Sequence, residues 1–158
     1  LNKVMYRLKT CPVDLLISPL IDLLRLDLID LHSLQVGSDA SMLKPWFGHE
    51  RVIDWSGHLK DFSDTAYVIQ QLDLVISVDT AVAHLAAALH KPTWLLLPHT
   101  PDYRWLQYSK FSAWYPSMRL FRQQQRGDWL SVIEQLRSAL DELFLLDLTG
   151  LCDATIER

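Results

Sequence analysis

Asp79, Thr80, Ala81 and His84 are the residues best placed for chemistry in this chain. They stand where one continuously apolar run, residues 74–78, meets an alanine-rich stretch that leads into a second apolar run, residues 93–97. Asp79 has the side chain of an N-cap, able to accept from the free amides of a first helical turn. Thr80 and Ala81 would then lie in that turn with their amides pointing out of the helix. Outward amides and the helix dipole together make a site for an anion such as a phosphate. His84 follows Thr80 by four residues and so shares its face. Arg104, in the loop that follows the second apolar run, is the best nearby cation for a diphosphate, with Asp102 as a competing partner.

These residues need elements to position them. The runs at 74–78 and 93–97 are apolar throughout, as in strands covered on both faces. With a short helix between them they form a βαβ unit, which implies parallel pairing. Upstream, Leu16, Leu20, Leu23 and Leu24 are spaced for one helix face, with Ser18 as the expected N-cap and Pro19 in its first turn. Residues 31–36 and 51–55 read as strands, and 38–47 as a short helix limited by Pro45. A helix follows over 63–72, with Asp61 or Ser63 as cap. Gly37 ends the first strand, either to let backbone approach a ligand or to turn the chain. Residues 98–116 form a long aromatic loop on the same rim as Asp79, a length usually tied to function. Its aromatics serve either as packing or as sugar platforms. Residues 119–122 are the last expected strand, and Asp128 caps a final amphipathic helix from Trp129. The order β-α-β-α-β-α-β-loop-β-α predicts an α/β, Rossmann-like three-layer α/β/α sandwich with a mostly parallel sheet.

The string VDTAVAHLAAALHKPTWLLLP resembles the donor-binding signature of GT-B glycosyltransferases. The likeness is to the heptosyltransferase family (family 9) and to glycosyltransferase domains linked to tetratricopeptide repeats. It extends to Ser33-Leu34-Gln35-Val36-Gly37, to Asp61-Phe62-Ser63-Asp64-Thr65-Ala66, to Pro101-Asp102-Tyr103-Arg104-Trp105, to Trp114-Tyr115-Pro116, to Arg119-Leu120-Phe121-Arg122-Gln123 and to Gly127-Asp128-Trp129. The resemblance implies one half of a GT-B fold, with residues 31–145 as the nucleotide-sugar donor-binding domain, 1–30 as a poorly matched segment and 146–158 as a tail. It implies that Thr80 and Ala81 hold the diphosphate, Asp79 orients the turn, and His84 bonds a phosphate or sugar hydroxyl. It also implies that Gln35 and Gly37 line the nucleotide cleft and that Arg104 assists. The acceptor-binding half, or a partner chain, would supply the catalytic base, so no catalytic residue is assigned here. The chain departs from the family pattern where Ala87 and His90 replace glycines. His90 stands at a position suited to a left-handed helix cap.

Composition narrows the alternatives. With 158 residues and an apolar fraction of 49%, the chain can bury the core of an ordinary domain. A net charge of -4 leaves no basic excess for a nucleic-acid backbone. Cys11 and Cys152 fit no metal spacing and no disulfide framework, which points to free thiols in a cytoplasmic setting. No run reaches the roughly 18 apolar residues of a membrane span. No Asp-X-Asp motif is present, so the expectation is a metal-independent site with no cofactor and a nucleoside diphosphate sugar as substrate. Two other readings stay open. One is a non-catalytic nucleotide-binding or protein-interaction module derived from this fold. The other is a sugar-nucleotide epimerase, which needs more acid and base groups than His84 and scattered carboxylates offer.

Overall fold

A computed structural model describes residues 10–107 and 109–153; the side chains of Asp39 and of residues 146–153 are outside it. Tyr108, and the side chain of Cys152, fall outside the described residues. Helix α1 spans Val13–Arg25, β1 Leu31–Ser33 and β2 Val52–Asp54, with a 3-10 segment, Gly37–Trp46, between the strands. Then come α2 (Phe62–Gln71), β3 (Val75–Val78), α3 (Ala81–Ala88), β4 (Thr93–Leu97), a 3-10 turn (Tyr103–Trp105), β5 (Met118–Arg122) and α4 (Trp129–Asp153). All strand pairs among these elements are parallel: β1 with β2, and β3-β4-β5 in sequential order. The expected parallel α/β architecture is therefore present, as two ladders. No ladder joins β2 to β3 among the described residues.

β4 lies at the centre because all five of its residues are buried. Its side chains alternate between two cores, as the period of a strand demands. Trp94 and Leu96 pack with Phe121, Val132, Leu136 and Leu140 of β5 and α4, and with Leu20 of α1. Leu95 and Leu97 pack on the other side with Ala83 and Ala87 of α3 and with Trp105, Met118 and Leu120. Helices thus cover both faces of the sheet. Alanines on α3 bring its backbone close to the sheet, which sets the height of the α3 N-terminus above the strand ends. Only Val75 of β3 is fully buried, so this edge strand is less covered than its apolar sequence predicts.

Several local expectations are corrected. Helix α1 starts earlier than Ser18, after Pro12, and Pro19 lies inside it. Proline has no N–H to give the Leu15 carbonyl, and the Ser18 hydroxyl donates to that oxygen instead at 2.8 Å. Residues 37–46 form a 3-10 segment because Gly37 enters at φ 72° and Pro45 removes a donor near the end. Asp61 caps α2 by accepting from the amides of Ser63 and Asp64 at 2.8 and 3.0 Å, and the Asp64 carboxylate accepts from the Lys60 amide. Both carboxylates are spent on the helix start. On α4 the buried face runs from Trp129 to Leu140, and Leu143 is exposed.

Helix α3 closes with a left-handed cap although His90 stands where the family pattern has a glycine. His90 adopts φ 60°, its amide donates to the Ala87 carbonyl and the Lys91 amide to that of Ala86, both at 3.0 Å. This is a complete Schellman closure with a residue that pays for the left-handed conformation. His90→Gly is expected to raise stability by about 1 kcal/mol in urea unfolding. An unchanged midpoint would mean the side chain compensates for the strain.

Cys11 is 4% exposed, and burial pushes its thiol up to about 12. Its folded pKa lies above the ordinary value, so the unfolded chain ionises first. Cys11 therefore withdraws stability progressively as pH rises from about 9 towards 12. In a Cys152→Ser background, Cys11 should resist alkylation at pH 8 until the chain is unfolded by urea.

Candidate functional site

The site sits where the carboxyl end of β3 turns into α3. Thr80 takes the N-cap position with φ -136° and ψ 167°, and no side chain caps the helix. This corrects the expectation that Asp79 is the cap. The Thr80 hydroxyl is engaged with the Ser77 hydroxyl at 3.0 Å. The Asp79 carboxylate lies one residue too early for the first-turn amides and points instead at His84 Nε2, 3.6 Å away. The outward amides at the start of α3 are consequently left without a side-chain acceptor. That is an electropositive helix end, open to an anion.

His84 is the hub of an aromatic cluster. Its Nδ1 is 3.1 Å from the Tyr115 hydroxyl. Its ring stacks on Trp105 at 5.3 Å between centroids and meets Tyr115 edge-on at 5.7 Å. Since a carboxylate only accepts, Asp79 favours the tautomer with the proton on Nε2, leaving Nδ1 to accept from Tyr115. At 3.6 Å the Asp79 contact is longer than a hydrogen bond, so Nε2–H retains the capacity to donate to a ligand oxygen. The ring is positioned from two sides, by α3 below and by the aromatic loop above.

Arg104 Nε donates to Asp102 at 2.8 Å, so the competing pairing is realised. That hydrogen bond, with the field of Asp79 adding to it, holds the guanidinium above its ordinary range and hence fully charged. Arg104 also lies 6.0 Å from the Trp105 ring centroid. His84, Tyr103, Arg104, Trp105, Trp114 and Tyr115 line a cavity of about 170 Å³. Small-molecule clefts typically measure about 300–1,000 Å³, so this one is a shallow half-pocket. Tyr103 and Trp114 leave 84% and 65% of their surface exposed at its rim.

The structure therefore brings Asp79, His84 and Arg104 into one neighbourhood, with Thr80 and Ala81 at the helix start beside them. Gln35 and Gly37 are not joined to it by any hydrogen bond or shared cavity lining among the described residues. Gln35 Oε1 is buried without a partner, and Gly37 has open space where a Cβ would stand. Sequence reasoning gave Tyr115 and Trp105 only the general choice of loop aromatics, packing or sugar platform, and missed their contacts with His84. They are 31 and 21 positions from His84, and only the return of the loop over α3 brings them to it.

Residues 57–126 match the family model described as glycosyltransferase family 9 (heptosyltransferase). The match contains α2, β3, α3, β4, the aromatic loop and β5, hence the whole cluster around His84. A 57-residue stretch is 42% identical to "Putative lipopolysaccharide heptosyltransferase 4" of Escherichia coli, covering 36% of this chain and 15% of that protein. A second stretch of 81 residues is 32% identical to "Protein FlbA" of Caulobacter vibrioides, covering 51% of this chain and 13% of that protein. The chain thus spans a small part of the length of these curated relatives. No solved structure matches the chain. Among the described residues no helix is long and apolar enough to cross a membrane.

Proposed function

We propose that this chain binds a nucleoside diphosphate sugar and serves as the donor-binding part of a glycosyltransferase. The observation that carries the reading is the uncapped N-terminus of α3, set at the carboxyl end of β3 beside His84 and Arg104, within the span that matches glycosyltransferase family 9. In parallel α/β sheets, ligands collect outside the carboxyl ends of the strands. The diphosphate accepts from the first-turn amides, with Thr80 and Ala81 nearest. The Nε2–H of His84 donates to a phosphate or sugar oxygen. Asp79 holds the imidazole tautomer, and Arg104 adds positive charge at the rim. Catalysis in such a site consists of positioning and of stabilising the departing nucleoside diphosphate. The charge for that comes from amides, dipole and arginine, without a metal or other cofactor. The general base and the second wall of the half-pocket come from an acceptor-binding half facing Tyr103 and Trp114. Acceptors range from protein to lipopolysaccharide, and the setting is cytoplasmic.

The small cavity favours one further reading: a module that binds nucleotide without turning it over. Calorimetric titration of the chain with UDP, GDP and ADP tests both. Saturable binding to one nucleotide, weakened about tenfold or more in His84→Ala, supports the donor site. Absence of binding to all three, with a cooperative unfolding transition showing the chain is folded, overturns it. Binding with no turnover of the matching sugar nucleotide even when an acceptor-binding half is supplied supports the module alone.

A further inference from the structure

His84 is held by three neighbours, and each fixes a different freedom of its ring. Trp105, buried beneath it, fixes the plane by stacking at 5.3 Å with 30° between the rings. Asp79, 3.6 Å from Nε2, favours a proton on that nitrogen. Neither decides which edge of the ring faces which neighbour. A half-turn about the bond to the ring keeps the plane and the stacking, yet exchanges Nδ1 for Cδ2 and Nε2 for Cε1. The Tyr115 hydroxyl lies 3.1 Å from Nδ1, and a turned ring would offer it carbon instead. That contact therefore selects one of the two orientations.

The phenol is delivered from a firm base. Ser112 is 9% exposed, and its Oγ accepts from the amides of Trp114 and Tyr115 at 3.1 and 3.2 Å. The Ser112 amide donates to the Met118 carbonyl at 3.1 Å, and the Met118 amide to the Tyr115 carbonyl at 3.0 Å. Met118 is the first residue of β5, so the turn that carries Tyr115 is tied to the central sheet. We propose that Tyr115 is a positioning residue of this site. Its hydroxyl donates to His84 Nδ1 and so turns Nε2–H, the donor left over, to an oxygen of a nucleoside diphosphate sugar. The ligand in that statement rests on the donor-site reading; the orientation of the ring does not.

Tyr115→Phe tests it, because it removes the hydroxyl and keeps the ring that meets His84 edge-on at 5.7 Å. The first measurement uses the free chain. Side-chain nitrogen–proton correlation spectra at about pH 8, where an ordinary imidazole is neutral, show which ring nitrogen carries the proton, and the His84 signals are those missing in His84→Ala. The unsubstituted chain should show Nε2 protonated and Nδ1 bare, and Tyr115→Phe a mixture of both tautomers. A proton on Nδ1 in the unsubstituted chain overturns the proposal. So does the same single form in Tyr115→Phe, since Asp79 would then suffice. The second measurement is titration with whichever of UDP, GDP and ADP binds. Tyr115→Phe should weaken its affinity by about two- to tenfold, the effect of one neutral hydrogen bond. In a His84→Ala background the same substitution should change nothing further. Unchanged affinity in Tyr115→Phe, or equal losses in the two backgrounds, overturns action on the ligand through His84. If none of the three nucleotides binds the unsubstituted chain, the donor-site reading fails, and the free-chain spectra still decide whether Tyr115 orients His84.

Discussion

On the donor-site proposal, Ala81→Pro is expected to weaken affinity for a nucleoside diphosphate by about ten- to a hundredfold, with no loss of fold. The substitution removes one N–H and adds a ring carbon in its place. Ala81 is the first residue of α3, where that N–H has no intrahelical partner to lose. Proline is preorganised for this position. The residue before a proline must be extended, and Thr80 already is, at φ -136° and ψ 167°. Ala81 is exposed, so the ring meets no core. Stability should stay level or rise by up to about 1 kcal/mol. A hydrogen bond to a charged group contributes about 1.5–3 kcal/mol, which is the size of the expected affinity loss. Calorimetry and thermal unfolding on the same preparation check both halves. Full affinity in a folded Ala81→Pro chain would move the diphosphate away from α3.

Trp105→Ala should destabilise the chain by about 3–5 kcal/mol and abolish nucleotide binding, while Trp105→Phe should cost under about 1.5 kcal/mol. Trp105 is 1% exposed and packs with Ala83, Leu95, Leu97 and Met118 beneath the His84 ring. Truncation leaves a void the size of an indole next to the site. Phenylalanine keeps an aromatic face for His84, and the indole N–H that it removes is buried without a partner. Losing an unsatisfied donor offsets part of the lost volume. Urea unfolding measures both variants. Equal costs for Ala and Phe would mean that the indole N–H has a partner in solution, a bound water for instance.

Much of this architecture was legible in the residues. The five apolar positions of β4, the alanines of α3 and the caps at Asp61 and Asp128 each announce their element locally. Asp128 accepts from the Ser131 amide at 3.1 Å, as a cap should. Failures arose where a side chain had a choice that distance along the chain does not decide. Asp79 had amides on one side and His84 on the other. The imidazole won, because the helix starts one residue later than a cap at Asp79 requires. Ser18 looked like a helix start beside Pro19, yet α1 runs through both. Its apolar face packs on α4, and the Ser18 hydroxyl supplies the bond that proline withholds. Tyr115 stands in the Trp114-Tyr115-Pro116 segment of the family resemblance, but nothing in the local sequence pairs it with His84. Its role exists only because the aromatic loop folds back over α3.

The uncapped start of α3 bears on how the free and occupied chains differ in motion. An eight-residue helix is marginal alone, and this one has its C-terminal turn closed and its N-terminal turn open. Its first amides should fray and exchange their protons quickly, while those towards Leu89 exchange slowly. A diphosphate seated there would act as the absent cap. Occupancy would then be written into the backbone as order at one helix end, extending through His84 to the loop that holds Tyr115.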